Sequence, residues 1–351
     1  MRSYRIAVFA GDGVGPEVIG QALRVLEAVQ RQGGGFALKL THLPWGAEHY
    51  VETGRLVPPD FLDVLRQHDA ILFGAVGDPA RMPDHLTLEP LIRIRQTFDQ
   101  YACVRPTRLY PGVRCPLADK TPSDIDLIVL RENSEGEYVN SGGRFKQGKP
   151  EEVALQTAIH TRRGIERILR FGFDLALSRR RRLTMTTKSN AQRYGFVLWD
   201  EVLEEMRPSF PTVQADKQHV DALAMNMVRS PERFDVIVGS NLFGDILSEI
   251  GGAIGGGLGL AASANINPER EYPSMFEPVH GSAPDIAGQG IANPVGAILS
   301  AAMMLDWLEL PEAAAVVRQA VERALAQRVG TPDMGGQLRT EQMTDLIIEN
   351  L

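Results

Sequence analysis

Asp245 and Glu249 lie four residues apart in the stretch 241–249, NLFGDILSE. On a helix, that spacing projects both carboxylates from one face. They follow an apolar run at 234–239, FDVIVG, which reads as a buried parallel strand, and they precede a glycine-rich apolar segment at 251–260. Two acids among residues that bury repel each other and lose their hydration unless a cation sits between them. An oxygen-only donor set favours Mg²⁺ or Mn²⁺ over zinc. A solvated helix face is the competing reading of any such pair, and the apolar flanks bring the two readings level.

Other residue types add to the chemistry. Arg95, Arg105 and Arg131 stand near strand or helix ends. A guanidinium fork binds carboxylate bidentately and keeps its charge at any working pH, so the trio suits a substrate with more than one carboxylate. Taken singly, each reads more simply as a surface salt-bridge residue. Tyr138 closes the segment RENSEGEY and has the chemistry of a general acid, although a lone tyrosine is more often packing. Lys188, in TTKSNA, ends a strand-like run where burial would lower its pKa and make it a proton carrier. Asp221, in DKQHVD, reads either as an N-terminal helix residue or as a third metal oxygen. Asp285 falls in the turn-rich stretch 276–294, FEPVHGSAPDIAGQGIANP. Its carboxylate suits a ribose diol and would repel a 2′-phosphate.

Strands and helices in alternation must position these groups. Residues 4–10 read as a strand ending in GDGVGPE, a glycine-rich turn without the G-x-G-x-x-G spacing or a P-loop lysine. A helix to about residue 31, a strand at 36–43, a helix near 59–67 and a strand at 70–74 follow. After a long Gly/Pro/Asp loop at 74–90 come a helix at 91–98, a strand at 125–130 and an exposed arm or hairpin at 141–150. A helix at 161–171, a strand at 183–187 and helices at 295–308 and 312–329 complete the pattern. The order predicts an α/β sheet covered by helices. The arginine run 179–182 reads as a solvated loop.

The chain has 351 residues, 44% hydrophobic and 23% charged, which suits a globular protein long enough for two domains. A net charge of −7 argues against nucleic acid or an anionic membrane as the main partner. Cys103 and Cys115 form neither a disulfide framework nor a metal pair, so they read as packing residues and fit a reducing cytoplasm. No apolar run approaches bilayer length, and no signal-peptide pattern opens the chain.

Together, GDGVGPE, Arg95, VRP at 104–106, RENSEGEY, TTKSN, HVDALAM, NLFGDILSE and EPVHGSAPDIAGQGIANP resemble the metal-dependent β-decarboxylating dehydrogenases along nearly the whole chain. This is the family of isopropylmalate and isocitrate dehydrogenases. PDH at 83–85, FDQY at 98–101, TRRGIERILRFGF and SANINPER are most similar to its tartrate and D-malate dehydrogenase branch. The resemblance implies an isopropylmalate dehydrogenase-like α/β fold, a twisted mixed sheet spanning two domains and flanked by helices. A large cofactor-binding domain would be discontinuous, 1–102 and 255–351. A central domain, 103–254, would carry the dimer interface, the arm and the metal and substrate residues. The resemblance also implies a homodimer with shared active sites, with Lys188 and Asp221 reaching the site of the other copy.

Carried over residue by residue, Arg95, Arg105 and Arg131 bind substrate carboxylates, Tyr138 is the general acid, and Lys188 is the base or its relay. Asp221, Asp245 and Glu249 ligate Mg²⁺ or Mn²⁺. His280, Gly281, Ser282, Ala283, Asp285, Ile286 and Asn293 hold the adenosine half of NAD, with K⁺ assisting. The implied reaction is oxidation, with or without decarboxylation, of a 2-hydroxy dicarboxylic acid such as tartrate or D-malate. The family usually has aspartate where Glu249 stands, so this residue either ligates directly, acts through water or shapes the site. Glu89 replaces a serine of the isocitrate enzymes, which disfavours a tricarboxylate. Asp285-Ile286 replaces the Lys-Tyr of NADP users, which favours NAD. One alternative is a 3-isopropylmalate dehydrogenase, with Leu91 and Ile92 forming an apolar pocket. Another is a non-catalytic regulatory subunit, whose kind lacks the tyrosine, lysine or metal acids found here.

Overall fold

The computed structural model describes residues 2–33 and 35–351. The strands are β1 (Arg2–Gly11), β2 (Phe36–His42), β3 (Ala70–Ala75), β4 (Ala102–Arg108), β5 (Asp126–Glu132), β6 (Gly142–Phe145), β7 (Val153–Gln156), β8 (Arg182–Thr187), β9 (Gln214–His219), β10 (Val236–Gly239), β11 (Ala262–Ile266) and β12 (Ser274–Pro278). The helices are α1 (Gly15–Arg31), α2 (Ala47–Thr53), α3 (Phe61–Arg66), α4 (Glu89–Thr97), α5 (Arg162–Leu177), α6 (Gly195–Met206), α7 (Val220–Arg229), α8 (Asn241–Ile254), α9 (Val295–Trp307), α10 (Pro311–Ala326) and α11 (Thr340–Glu349).

Ten strands form one sheet in the order β2-β1-β3-β12-β11-β4-β5-β10-β8-β9. The central strands are apolar runs buried on both faces, as β3 and β10 are along their full length. Most pairings are parallel, but β11 runs antiparallel to β12 and β4, and β4 runs antiparallel to β5. The sheet is therefore mixed, as expected. Strands from the first and last parts of the chain fill one side, strands from the middle fill the other, and the β11–β4 pairing joins them.

Helices cover both faces. On α1, Val18, Ile19, Ala22, Val25, Leu26 and Val29 make a stripe at helical spacing that buries against the sheet and α9. Nearly every residue of α9 from Val295 to Leu305 is buried, as a helix apolar on all sides requires. β6 and β7 form a separate two-stranded ribbon with every residue exposed. No helix among the described residues is long and apolar enough to cross a membrane.

The structure departs from several expectations. α5 and α8 run longer than the patterns suggested, and α8 takes in the first half of the glycine-rich segment. β9 and α6 were not foreseen. The arginine run is not simply a solvated loop. Arg179 bonds the fully buried Asp235 at 2.8 Å and Asp126 at 2.9 Å, and the Arg180 backbone N–H donates to Asp235 as well. An aspartate buried at a strand start needs such partners, and the run supplies them. Cys103 is buried and Cys115 half-buried, both as free thiols, in keeping with packing roles.

Candidate functional site

The carboxyl ends of β3, β5 and β12 open onto a cavity of about 220 Å³. That lies below the ~300 Å³ at which pockets for drug-sized ligands begin, so it suits a small acid. Arg95, Arg105, Arg131, Tyr138, Asp245, Glu249 and His280 all line it. Six residues singled out by chemical type, and His280 implied by the resemblance, thus meet at one place, although Arg95 and His280 are 185 positions apart in sequence.

Each arrives on a rigid element. Arg95 points inward from α4, Arg105 from β4 and Arg131 from the end of β5. All three are buried, at 6%, 7% and 2% exposure, so their charges must be matched locally. Asp245 does much of this. Its Oδ1 accepts from Arg131 and, at 3.0 Å, from Arg105, while the Tyr138 hydroxyl donates to Oδ2 at 2.7 Å. Glu277 pairs with Arg95 at 2.7 Å and also accepts from Asn265 at 2.7 Å. Sequence reasoning missed Glu277. It is a lone charge inside a strand whose every residue is buried, which the fold reveals and the local sequence does not.

The electrostatics follow from this packing. Burial would raise the Asp245 carboxyl, but Arg131 and Arg105 outweigh it and hold it below the usual carboxylate range. Glu249, exposed one turn further on, goes the other way: partial desolvation and the neighbouring Asp245 charge outweigh Arg105 and Arg131 and raise it. It has no hydrogen-bond partner among the described residues. Burial, the Asp245 charge and the hydrogen bond to it push the Tyr138 hydroxyl up to about 12, so it stays protonated at any working pH. Burial and the neighbouring Arg105 pull Arg131 down to about 10, still fully charged at neutrality. The Arg131 guanidinium also lies 5.0 Å from the Tyr138 ring centroid, close enough for a cation–π contact.

Gly244 lets α8 come this near. A Cβ there would fall 2.6 Å from the Cβ of Arg131, so only glycine allows the helix to pack across the end of β5. The α8 N-cap is Ser240, whose Oγ accepts from the Phe243 N–H at 3.5 Å.

Charge and donor chemistry test whether a divalent cation fits. Three arginines are balanced by Asp245, Glu249 and Glu277, so the lining is neutral. A dicarboxylate alone would leave two excess negative charges, and a divalent cation alone two excess positive ones. The two together restore balance. The buried Nε atoms of Arg95 and Arg105 lack a protein acceptor among the described residues, as donors to a carboxylate would. Yet Asp245 and Glu249 are the only lining carboxylates from α8, and the third, Glu277, is already paired with Arg95. No group of three His, Cys, Asp or Glu able to hold a metal occurs among the described residues of a single chain. Asp221 does not line the cavity. It forms a 2.8 Å ion pair with Lys188, on a carboxylate 69% exposed, and Lys188 is likewise outside the cavity lining. One chain therefore holds the predicted residues as two separate groups.

The 280–293 loop packs on the GDGVGPE turn. The Val14 N–H donates to the Ser282 carbonyl at 2.9 Å, and Gly13, at φ +60°, approaches so closely that a Cβ would overlap that oxygen. Burial keeps the His280 imidazole below its ordinary pKa, hence neutral at pH 7. Its Nδ1 donates to the Gly281 carbonyl at 3.0 Å, which leaves Nε2 as a buried acceptor without a partner among the described residues. That unfilled acceptor suits a nucleoside hydroxyl or amino group. Asp285 is exposed and Ile286 packs on the core. The Asn293 side chain is already engaged, donating to Asp333 at 3.1 Å and accepting from the Val295 N–H at 3.1 Å. It shapes the loop and the start of α9.

One sequence expectation needs correcting. Leu91 lines the cavity but Ile92 does not; Leu88, Val76, Phe73 and Val279 are among the other apolar residues of the wall. Glu89 lines a separate cleft with Tyr50 and Arg93.

Residues 5–347 match the family model described as isocitrate/isopropylmalate dehydrogenase. The chain is 50% identical, over 99% of its length and 98% of the relative's, to an Agrobacterium vitis protein named "Probable tartrate dehydrogenase/decarboxylase". It is 49% identical to the D-malate dehydrogenase [decarboxylating] of Escherichia coli K12, over 99% and 98% of the two chains. Its fold is similar to the crystal structure of isocitrate dehydrogenase from Methylococcus capsulatus, with a TM-score of 0.89 and 34% identity over 99% of both chains.

Proposed function

The chain belongs to the isocitrate/isopropylmalate dehydrogenase family, and on that premise we propose that it oxidises a 2-hydroxy dicarboxylate of the tartrate or D-malate kind, using NAD and Mg²⁺ or Mn²⁺. Where the oxidised product carries a carboxylate on C3, the same site releases it as CO₂. The observation that carries this is the convergence of three buried arginines with Tyr138, Asp245 and Glu249 on one small cavity.

Arg95, Arg105 and Arg131 grip the two carboxylates and fix the C2–C3 bond. Their buried forks orient the acid and exclude water around it. Lys188 of a second copy takes the C2 hydroxyl proton as the C2 hydride leaves. Tyr138, held protonated by burial and Asp245, returns a proton to C3 once the C3–carboxylate bond has broken and left its electron pair there. Asp245 and Glu249, with Asp221 of the second copy, would hold the cation, which when bound lowers the hydroxyl pKa and offsets the negative charge that develops. His280 and the 281–286 turn would hold the adenosine of NAD. The exposed Asp285 carboxylate favours a ribose diol over a 2′-phosphate. K⁺ assistance to NAD belongs to the same proposal, and equal activity with and without K⁺ would remove it.

The separation of Lys188 and Asp221 from the cavity supports a homodimer whose copies share sites. Apolar residues stand exposed where a second copy would cover them. Met225 and Val228 on α7 and Ile246 on α8 are 49%, 44% and 49% exposed, and Phe145, Val153 and Leu155 project from the ribbon. A division into 1–102 with 255–351 against 103–254 fits a cavity bounded by strands of both sheet halves. Two free cysteines fit a cytoplasmic setting.

Leu88, Leu91 and Val76 favour a second reading, a 3-isopropylmalate dehydrogenase. Steady-state rates with D-malate, tartrate and 3-isopropylmalate, each with NAD or NADP and with or without Mn²⁺, decide between them. The expected result is turnover of the two hydroxy diacids with NAD that stops on chelation. A strong preference for isopropylmalate establishes the second reading, and undiminished activity after chelation defeats both.

A further inference from the structure

RENSEGEY contains three glutamates, and each carboxylate caps a different piece of backbone. Glu132 accepts from the N–H groups of Ser134 and Glu135, at 3.1 and 2.8 Å. Glu135 accepts from the N–H and hydroxyl of Thr161, the N-cap of α5, at 2.9 and 2.6 Å. Glu137 reaches the start of α8. Its Oε1 accepts from the Ser240 hydroxyl at 2.9 Å and its Oε2 from the Leu242 N–H at 3.0 Å.

The third contact matters because of its neighbours. Glu137 immediately precedes Tyr138, whose hydroxyl bonds Asp245 one turn further along α8. Consecutive residues of one short turn thus hold one helix at two points. The first turn of α8 contains no acid of its own, so Glu137 provides the negative charge that a helix N-terminus attracts. Asn241 adds a second tie, donating to the Glu135 carbonyl at 2.9 Å while accepting from Arg131 Nε at 2.9 Å.

Taking Tyr138 as the proton donor proposed above, we infer that Glu137 is a positioning residue that fixes the Tyr138 hydroxyl relative to Asp245 by clamping their two elements together. It touches neither substrate nor cation. Its contribution falls on the second half of the reaction, where C3 is protonated, more than on substrate capture, which rests with the arginines.

The test compares wild type, Glu137→Ala, Glu137→Gln and Tyr138→Phe with D-malate, NAD and Mn²⁺, following NADH and pyruvate separately, and with oxaloacetate added directly. Glu137→Ala should lower kcat about tenfold, the scale of a misplaced reacting group, with KM for D-malate within about twofold. Oxaloacetate decarboxylation should fall in parallel, and NADH should outrun pyruvate. Glu137→Gln keeps the Ser240 contact but opposes an amide donor to the Leu242 N–H, so it should recover part of the loss. The melting temperature of Glu137→Ala should fall by no more than about 4 °C, as expected of one cap in a chain of this size.

Glu137→Ala matching wild type in kcat and in the NADH-to-pyruvate ratio, while Tyr138→Phe loses pyruvate formation, overturns this inference alone. Loss of kcat, KM and melting temperature together, with Glu137→Gln no better, assigns Glu137 to folding and also overturns it. If wild type oxidises none of the hydroxy diacids, or Tyr138→Phe forms pyruvate normally, the underlying functional reading fails and the inference falls with it.

Discussion

Asp245 and Glu249 illustrate how one chemical type acquires two characters within a single helical turn. Asp245 is matched by two arginines and held ionised, whereas Glu249 is exposed, has no ion-pair partner among the described residues and is shifted upward. Glu249→Gln should raise the Mn²⁺ concentration for half-maximal activity by on the order of tenfold if the carboxylate acts on the cation directly or through water. A titration of activity against Mn²⁺ checks this, and an unchanged midpoint limits Glu249 to shaping the wall. Glu132 offers a test of linkage. Burial pushes its carboxyl from the ordinary 4.5 up to about 7. Because the folded state holds the proton more tightly, the stability contributed by Glu132 is complete below about pH 4.5 and is lost as the pH climbs to about 7. Compared with Glu132→Gln, which cannot titrate there, wild type should lose roughly 3 kcal/mol across that window. Denaturant midpoints of the two proteins at pH 4.5, 6 and 8 measure it, and a pH-independent difference would contradict it. Residue types were the most legible part of the sequence. The arginine trio, Tyr138 and the acid pair could be picked out because charge beside apolar runs demands an explanation. Glu277 escaped because its partner, Arg95, lies 182 positions away, and nothing local announces the pair.

At the level of elements, apolar runs and helical stripes were sufficient for β1, α1, β3, β10, α9 and α10, where burial against the sheet follows the pattern directly. β9 was hidden by its composition. QADKQH alternates weakly and carries two charges, as an edge strand can, since one side of it faces solvent. α8 was underestimated because Gly251 and Gly252 look like breakers. In the fold they are buried, and a Cβ at Gly251 would meet Thr107, so their use is close packing. Gly244 serves the same end nearer the cavity. Gly244→Ala should cost about 1–3 kcal/mol by overpacking against Arg131. It should also raise KM for the hydroxy diacid more than it lowers kcat, because the displaced group binds carboxylate. Thermal unfolding together with steady-state kinetics checks both parts, and an unchanged KM would contradict the second.

For the molecule as a whole, local pattern gives an α/β sheet but not its order. The insertion of β12 and β11 between β3 and β4 depends on a chain that returns after some 150 residues, and hydrophobic periodicity carries no record of such a return. That order is what brings Glu277 and His280 beside Arg95 and Arg105. The mixed sheet and two-part arrangement came instead from matching motifs along the whole sequence. If each site takes Lys188 and Asp221 from a neighbouring copy, then Lys188→Ala and Asp245→Asn proteins, each inactive, should regain activity when unfolded and refolded together. A mixed dimer carries both lesions in one site and none in the other, so about half the normal turnover per mixed dimer is expected. No recovery would mean that each copy works alone.

The exposed Lys188–Asp221 pair has a further consequence. Held apart from the cavity, the two side chains pair with each other; if they serve the cavity of a second copy, as proposed above, a solitary chain lacks its proton acceptor and performs no chemistry. Catalysis is then tied to association through mass action, and turnover per chain should fade on dilution below the dissociation constant of the pair and return on concentration. A cell that halves its supply of this chain in that regime would lose more than half of the flux.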